Sequence, residues 1–567
     1  MVAKKVGCLL LSLTLLSSGL VGCSGKGEAG EKGATPAPTI EGAKKPAELV
    51  VLKGVTKNAK PFDWDSPIGK EWQKQTNVRI ELEAFPDYNA RLAVLASSRQ
   101  WPDLVEQTDD NTVFYDMGML RPMDDLIDKY GPNIKKMFSY NNRDTLINLK
   151  KSPGDPKIYT LGRTTFEKSP VGMVSQPYAL QLEAVKEAGY PKIRTLTDYE
   201  NVIRDYMKKY PTIDGKPTLG ISLLCETYWN FVFSVTNPAT FATGAPDNGD
   251  FYIDANTGKT SFVQLRPENK EVYRWYNKMW NEGLLDKDSF VQKKDQYLEK
   301  IASGRVLGTV NTLGTYQPAT TSLKKDGKEW RTYGYFPVTV NEQQESAIYW
   351  NAYGRNLNWG GLMLTTACKN PEAYIQFADF YCSDEGQYLL DWGLENVHYK
   401  VENGRRVRVP EVAQKLASDP TYIASQGFQL FSGLMPFYQE GIKDSKGGYY
   451  KPVTPETITS TYSNAEKEVL SKYNATIWKD LFKTEFPQPK YASIGNNPFG
   501  NPEITATITR CREIIQEKLV QAITAAPQNF DARYDEMVSA LVNAGMNTIN
   551  EKYEVELHKM HKLWGIE

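Results

Sequence analysis

The sequence predicts an α/β protein, because short strand patterns alternate with amphipathic helix patterns. Residues 49–53 form a short apolar run, and residues 78–83 alternate apolar and polar side chains as a half-buried strand does. A helical pattern at residues 68–76 lies between them, and a second one covers residues 88–95. Residues 103–106 are typical of a third strand. This order of elements predicts an open sheet covered by helices.

Later segments predict longer helices with recognisable ends. The run from Thr197 to Glu200 matches a capping box, and Asn370 followed by Pro371 gives the preferred cap-then-proline start. Near the C-terminus a helical stripe is predicted to face the core, and it consists of Ile504, Ile508, Cys511, Ile515, Leu519 and Ala522. Four tryptophans in helical stripes are predicted to have packing roles: Trp72, Trp275, Trp280 and Trp478.

Composition excludes several functional classes. With 41% hydrophobic residues, the 567-residue chain can bury a core and is not disordered. Its 67 Lys and Arg balance 68 Asp and Glu, so no net positive field favours nucleic acid as a partner. Only three His occur, which argues against a large metal centre, and no cofactor is expected. The aromatic content of 12% provides many flat side chains for packing or for ligands.

The N-terminus has the features of an export signal. Lys4 and Lys5 precede an apolar stretch at residues 6–16, followed by small residues, so residues 1–22 are predicted to be a signal peptide. The run Leu20-Val21-Gly22-Cys23 resembles the bacterial lipobox, in which the Cys receives a diacylglyceryl group and acyl chains such as palmitate. Cys23 is therefore the predicted lipidation site. An ordinary secreted protein with an incidental Cys is the alternative.

Residues 23–44 are predicted to form the lipidated Cys and a flexible tether, because they are rich in Gly, Ala, Lys and Pro and lack hydrophobic periodicity. Such a segment spans about 25 Å on average. No other apolar stretch approaches the roughly 20 residues of a membrane-spanning helix. The remaining cysteines have no metal-like spacing and are predicted to be buried thiols, or at most one disulfide: Cys225, Cys368, Cys382 and Cys511.

Motifs of common catalytic sites are absent from the sequence. It has no G-x-S-x-G elbow, no phosphate loop and no H-E-x-x-H helix. His558 and His561 are predicted to be solvated without metal, and residues 254–258 to form a hairpin turn, because Leu265 occupies the bidentate Glu position of a calcium loop. Glycoside hydrolysis needs only two facing carboxylates, so a lipid-anchored hydrolase or lyase acting on polysaccharides remains the alternative function.

A family resemblance is carried by several segments in a fixed order. They follow the lipobox and include Trp101-Pro102-Asp103-Leu104, residues 118–127, residues 277–290, residues 301–308 and residues 370–386. Together they resemble the extracellular solute-binding lipoproteins of ABC importers, specifically the large sugar-binding group of Gram-positive soil bacteria. The order of the segments is more specific than any one of them.

This resemblance implies a two-lobed clamshell of the periplasmic-binding-protein type (type II), with a central sheet flanked by helices in each lobe. Residues 45–163 and 335–399 would form the N-terminal lobe, and residues 164–334 and 401–567 the C-terminal lobe. It also implies a monomer, not an enzyme, that is lipid-anchored at the extracellular face of the membrane. Its partners would be an oligosaccharide and the subunits of an ABC permease.

Aromatic and polar residues alternate in irregular segments next to predicted strands, which suits a sugar ligand. Flat rings cover the apolar faces of a sugar, and polar side chains pair with its hydroxyl rim. The candidate ligand-binding residues are Trp64, Asp65, Asp109, Trp229, Asn230, Trp350, Tyr353, Arg355, Trp359 and Phe499. Core packing is the alternative for each Trp. A peptide or metal-chelate receptor would share the fold but would need charged clamps, and the sequence leaves the particular sugar open.

Overall fold

The computed structural model describes residues 48–57, 62–107, 112–140, 145–163, 169, 171–172, 176–350, 359–419, 421–494 and 502–567. The strands are β1 (Val50–Thr56), β2 (Val78–Ala84), β3 (Leu104–Glu106), β4 (Lys150–Ser152), β5 (Asp155–Ile158), β6 (Thr160–Arg163), β7 (Tyr178–Gln181), β8 (Thr212–Ile213), β9 (Lys216–Pro217), β10 (Leu219–Ile221), β11 (Phe251–Ile253), β12 (Thr260–Phe262), β13 (Val306–Thr309), β14 (Tyr333–Phe336), β15 (Trp359–Leu364), β16 (Tyr399–Glu402) and β17 (Arg405–Arg408).

Helices occupy most of the remaining described chain. They are α1 (Pro67–Thr76), α2 (Tyr88–Ser98), α3 (Thr112–Asp116), α4 (Asp124–Tyr130), α5 (Pro132–Phe138), α6 (Leu182–Glu187), α7 (Leu196–Lys209), α8 (Tyr228–Phe231), α9 (Asn237–Ala242), α10 (Asn269–Asn281), α11 (Lys294–Ala302), α12 (Leu313–Lys325), α13 (Pro371–Cys382), α14 (Asp384–Asp391), α15 (Pro410–Ser418), α16 (Tyr422–Gln426), α17 (Pro455–Thr461), α18 (Asn464–Lys472), α19 (Pro502–Thr524), α20 (Phe530–Asn543) and α21 (Met546–Leu563). The predicted α/β class is confirmed.

The first sheet has five strands in the order β2-β1-β3-β15-β6. Strand β1 runs parallel to both β2 and β3, whereas β15 runs antiparallel to β3 and to β6. The carboxyl ends of β1, β3 and β6 therefore lie at one edge, next to the start of β15. We call this the carboxyl edge of the first sheet.

The second sheet has four strands in the order β10-β13-β7-β14. Strands β10 and β13 are parallel, and β7 is antiparallel to its neighbours β13 and β14. The ends of β10, β13 and β14 and the start of β7 form the carboxyl edge of the second sheet. The chain crosses from the first sheet to the second after β6 and returns after β14, so each sheet combines distant segments of sequence.

Each sheet has its own hydrophobic core. Leu52, Ile80 and Tyr374 belong to the first core, and Ile221 and Ile515 to the second. The structure also shows where the later segments pack. Leu430, Met435 and Tyr450 lie in the first core although residues 401–567 were assigned to the C-terminal lobe, and Phe336 and Val338 lie in the second core. The lobe boundaries themselves stay a prediction.

Several local predictions are confirmed, and one is displaced. The predicted strand at residues 78–83 is β2, the helix at 68–76 is α1, and the stripe on α19 is buried throughout. The capping box at Thr197 is wrong by two residues. Helix α7 begins after Thr195, whose hydroxyl accepts the N–H of Asp198 while the Asp198 carboxylate accepts the N–H of Thr195. Both threonines have an acid three residues later, so the pattern alone did not distinguish them.

The cysteine and hairpin predictions are confirmed as well. All four cysteines of the described residues are buried free thiols: Cys225, Cys368, Cys382 and Cys511. Residues 254–258 join β11 to β12, and the Asp254 carboxylate accepts the N–H groups of Asn256 and Thr257. Among the helices the structure describes, none combines the length and apolarity needed to cross a membrane.

A buried ion pair attaches the β16–β17 hairpin to the first core. The Arg406 guanidinium lies 3.6 Å from the centre of the Tyr388 ring and pairs with Asp444, whose side chain is 1% exposed. The Tyr388 hydroxyl and the N–H groups of Lys446 and Gly448 also donate to Asp444. Burial by itself raises the pKa of Asp444, but these hydrogen bonds outweigh it, and the net pKa is lowered.

Replacement of this carboxylate is expected to destabilise the protein strongly. The Asp444→Ala variant leaves Arg406 buried without its counter-charge, so the free energy of unfolding at pH 7 should fall by about 3–5 kcal/mol in denaturant titration. Glu342→Ala breaks the exposed Lys192–Glu342 pair and should cost less than about 1 kcal/mol. Equal losses in the two variants would contradict the role of burial.

The same pair gives a pH signature. Since the folded pKa of Asp444 is lowered, its stabilisation is present above the unfolded carboxyl pKa of about 3.9 and is lost as the pH falls through the folded pKa. The stability difference between the wild type and Asp444→Ala should therefore shrink in acid, and a difference independent of pH would count against the ion pair.

Candidate functional site

The carboxyl edge of the first sheet is the first place to look for a ligand site, since open α/β sheets bind ligands outside the carboxyl ends of their strands. In sequence, Asp109 follows β3, which ends there, and Tyr353 and Arg355 precede β15, which begins there, but all three lie outside the described residues, as do Phe499 and Cys23. Trp359 is the first residue of β15, at this edge, and its side chain is not among those described.

Glu106 is the last residue of β3 and lies at this edge. Its carboxylate accepts the backbone N–H of Lys57 at 2.6 Å, and its own N–H and C=O both bond the Tyr88 hydroxyl, at 2.8 and 2.9 Å. Burial raises the pKa of Glu106 more than the Lys57 hydrogen bond and charge lower it. A half-buried carboxylate with a raised pKa at a strand end is a functional candidate, and sequence analysis missed it.

Two glycines shape the start of β15. Gly360 and Gly361 have φ of +70° and +124°, and the pairing with β6 is irregular between Trp359 and Leu362. A Cβ on Gly361 would lie 2.3 Å from the Gly162 Cα, so only glycine allows this backbone approach. The two glycines therefore allow the irregular backbone pairing at the start of β15.

Trp64 lies in the first core and not at either edge. It is 4% exposed, packs against Phe377 and Phe431, and donates its ring N–H to the Ile80 carbonyl at 3.1 Å. A ring packed in this way offers no open face to a sugar. Asp65 is exposed, and its N–H donates to the Asp63 carboxylate in the turn before α1.

The carboxyl edge of the second sheet carries Trp229 and Asn230. Helix α8 begins after β10, where the Thr227 hydroxyl accepts the N–H of Asn230 at 3.1 Å. The partly exposed Trp229 ring stacks on Phe233, with centroids 6.1 Å apart and planes inclined by 29°. A π-helix at Val232–Thr236 separates α8 from α9, and such segments are frequent at functional sites.

A buried carboxylate organises the residues around Trp229. Asp250 accepts the Tyr228 hydroxyl at 2.6 Å, and the Arg512 Nε and Nη2 groups at 3.0 and 2.6 Å. The Arg512 guanidinium lies 5.2 Å from the centre of the Tyr228 ring and 5.3 Å from that of Trp229. Burial, followed by the charge of Asp250, holds the pKa of Tyr228 well above its usual value, so its hydroxyl remains a donor.

A network of amides lies at the same edge. The Asn237 amide donates to Gln176 at 2.9 Å and to the Asp247 carboxylate at 3.1 Å, and the Asn311 amide donates to Ser234 at 2.8 Å. Gln176 has a φ of +72°, a conformation that costs on the order of 1–3 kcal/mol outside glycine. The strain falls where the chain arrives from the first sheet, two residues before β7.

Trp350 belongs to a second stacked ring pair, and we call this pair and the Trp229–Phe233 pair the two aromatic platforms. Its ring stacks on Phe486 with centroids 5.5 Å apart and planes inclined by 7°, and its ring N–H donates to the Pro487 carbonyl at 3.0 Å. The neighbouring apolar cluster contains Phe241 of α9 and Tyr349. The platform therefore adjoins the far end of the helical run that carries Trp229 near its start.

The first crossing between the sheets is held from both sides. The Ser169 hydroxyl donates to the Glu440 carbonyl at 3.0 Å, in a segment that packs in the first core. The Ser169 carbonyl accepts the Lys479 amine at 3.0 Å, and the Gly172 carbonyl accepts the Tyr349 hydroxyl at 3.1 Å. These contacts link the crossing segment to residues beside the first core on one side and to Tyr349 and Lys479 on the other.

Metal ligands do not gather in the part of the chain that the structure describes, where no three side chains of His, Cys, Asp or Glu form a candidate site. His558 is partly exposed and pairs with Glu567 at 2.6 Å. The prediction that His561 is solvated is wrong: it is buried, stacks on Tyr491 and bonds the Ala492 carbonyl. Helix α21 is rich in charged residues, so its sequence did not indicate that His561 lies on a buried face.

Comparison with known proteins identifies the family. The profile of the family described as bacterial extracellular solute-binding protein matches residues 68–393, more than half of the chain. The chain belongs to this family. This assignment confirms the resemblance inferred from the ordered sequence motifs and places the chain among proteins that bind solutes outside the bacterial cell.

One curated relative and two solved structures are similar to this chain. The fructooligosaccharide ABC transporter substrate-binding protein FusA of Streptococcus pneumoniae is 25% identical over 315 residues, which cover 53% of this chain and 55% of FusA, so the match spans about half of that relative. An extracellular solute-binding protein from Bifidobacterium longum subsp. infantis is 15% identical, with a TM-score of 0.65 over 90% of this chain and 98% of its own. Alginate-binding protein AlgQ2 is 18% identical, with a TM-score of 0.61 over 90% and 99%. The two-lobed fold is confirmed.

The raised pKa of Glu106 predicts that its ionised carboxylate destabilises the folded protein. Since the folded pKa is raised, the ionised carboxylate costs stability at neutral pH, and this cost disappears below the unfolded pKa of about 4.3. Glu106→Gln should therefore raise the Tm at pH 7.5, and the gain should vanish at pH 3.5. Glu83→Gln, on an exposed site of β2, serves as the control, and a gain of the same size there would remove the argument.

Proposed function

We propose that this solute-binding protein captures an oligosaccharide between its lobes and delivers it chemically intact to the permease subunits of an ABC importer. The observation that carries the proposal is the partly exposed Trp229–Phe233 stack beside the Tyr228–Asp250–Arg512 cluster. Rings beside fixed polar groups are what a sugar with apolar faces and a hydroxyl rim requires. The name of FusA, a fructooligosaccharide protein of ABC transport, supports the same ligand class.

The arrangement of the platforms favours a ligand of several sugar rings. Trp229 and Phe241 are twelve residues apart along α8, the π-helix and α9, which at the α-helical rise corresponds to at most about 18 Å. Phe241 belongs to the apolar cluster next to the Trp350–Phe486 stack. A monosaccharide would reach one platform, whereas a chain of sugars would reach both.

The proposed ligand contacts include residues that the structure describes and residues that are inferred from sequence alone. Trp229 and Trp350 are the stacking platforms, and Asn230 is a partner for the hydroxyl rim. Glu106 is a proposed ligand contact at the carboxyl edge of the first sheet. The further contacts inferred from sequence are Asp65, Asp109, Tyr353, Arg355, Trp359 and Phe499. Trp64 is left out because its ring is buried in the first core.

The proposal also includes anchoring and the absence of turnover. Residues 1–22 would be removed as a signal peptide, Cys23 would carry the lipid, and residues 23–44 would tether a monomer to the outer face of the membrane. No cofactor is required for this function. Its partners are the oligosaccharide, the permease and the membrane, and nucleic acid is not among them.

A titration with glycans tests the proposal. Intrinsic tryptophan fluorescence would be followed with kestose, alginate oligosaccharides and plant-wall oligosaccharides, and the glycans would then be analysed by chromatography. A saturable change with unaltered glycans supports binding without turnover. Shorter products would support the hydrolase or lyase, and no response to any glycan would overturn the sugar proposal.

Loss of either platform is expected to weaken binding. Trp229→Ala and Trp350→Ala should each raise the Kd for the best glycan of that panel about tenfold, because a stacked ring contributes roughly 1 kcal/mol or more beyond its buried area. Trp280→Ala is the matched control: that ring is also partly exposed, but it lies on α10 with Lys287 4.0 Å from its centre. The site is misplaced if the control variant loses as much affinity as the other two.

Lipidation of Cys23 has a separate readout. In a bacterial host that processes lipoproteins, radiolabelled palmitate should enter the wild-type protein, and the protein should fractionate with membranes. Cys23→Ala should lose both properties, whereas Cys382→Ser, at a buried thiol, should retain them. Membrane fractionation and labelling of the Cys23→Ala variant would refute the anchor without touching the ligand proposal.

A further inference from the structure

The guanidinium of Arg512 packs beside the ring that we assign to the ligand, yet it comes from a distant part of the chain. Arg512 lies on α19, and Trp229 lies on α8, nearly three hundred residues earlier. We propose that Arg512, locked by Asp250, is a positioning residue that fixes the orientation of the Trp229 ring for ligand stacking. This inference rests on the proposed function.

Trp229 lies in the first turn of its helical run, so no preceding turn packs against its ring. Helix α8 passes directly into a π-helix, which departs from the regular α-helical hydrogen-bond pattern. Helix α19 has 23 residues, and Ile508, Cys511 and Ile515 anchor it in the second core. A side chain on α19 therefore transmits the rigidity of the core to the edge of the sheet.

Asp250 fixes the direction of the guanidinium plane. One carboxylate oxygen accepts two N–H groups of Arg512, and the other accepts the Tyr228 hydroxyl. The planar fork then lies within about 5 Å of the ring centres of both Tyr228 and Trp229, within the range of cation–π attraction. A lysine would keep the charge but not the planar fork.

A second Arg–Asp pair provides a matched control. Arg274 on α10 bonds both oxygens of Asp531, and its guanidinium lies 4.7 Å from the centre of the Phe530 ring. Like Arg512, Arg274 pairs with an aspartate and lies beside an aromatic ring. Its pair with Asp531 is exposed, however, and adjoins neither aromatic platform. Whatever effect is specific to Trp229 should therefore be absent from Arg274 variants.

The first test needs no ligand. The protein would be labelled with 5-fluorotryptophan, and the ¹⁹F resonance of Trp229 assigned with Trp229→Phe among the 12 tryptophans. Arg512→Lys, which retains the ion pair, should shift or broaden the Trp229 resonance and leave the others in place. Arg274→Lys should change nothing at Trp229. An unaltered Trp229 resonance in folded Arg512→Lys would overturn the inference.

The second test measures whether Arg512 and Trp229 contribute to glycan binding through each other. Arg512→Lys should raise the Kd for the best glycan of the panel about three- to tenfold, but should add little further loss in a Trp229→Ala background. The double variant Asp250→Asn/Arg512→Gln, which leaves no buried unpaired charge, should behave in the same way. An undiminished loss in the Trp229→Ala background would mean that Arg512 acts independently of the ring, and would overturn the inference. If Trp229→Ala itself binds normally, the proposed platform fails, and the ¹⁹F result still decides the positioning role.

Discussion

Parallel strand pairing is the constraint on which the arrangement of this protein depends. A parallel neighbour can be reached only by a crossover, so β1, β2 and β3 are linked by crossovers, which here contain α1 and α2, and their carboxyl ends meet at one edge. The second sheet repeats the rule with β10 and β13. The segments free to carry binding groups are thereby gathered at two edges, and the helices and sheet faces remain available for packing.

Buried polar groups give these edges a defined geometry. Asp250 is almost fully enclosed and directs Tyr228 and Arg512, while Glu106 joins the ends of β1 and β3 through the N–H of Lys57. Each carboxylate would be costly to bury without its partners, so neighbouring backbone and side chains are held where hydrogen bonds can reach them. Rigid support of this kind holds the side chains at an edge in fixed positions.

Sequence periodicity predicted most of the elements but only part of the site. The alternation at residues 78–83 and the stripe on α19 reflect burial directly, so β2 and α19 follow from local pattern. The partners of Trp229 do not follow, because Asp250 and Arg512 are hundreds of residues apart and meet only through the tertiary fold. The role of Glu106 could not be predicted from the sequence either, because no sequence feature of a Glu at the end of a strand indicates that it is buried.

Trp64 and Trp229 show why aromatic–polar clusters do not by themselves identify a ligand site. Both follow a strand and stand next to polar residues. The Trp64 ring, which follows β1 in the sequence, lies in the first core, where its N–H donates to the Ile80 carbonyl. After β10 the chain begins a helix at the edge, and Trp229 stays partly exposed beside Phe233 and Arg512. The tertiary surroundings of the segment, and not its composition, decide whether a ring is buried in the core or stays partly exposed at an edge.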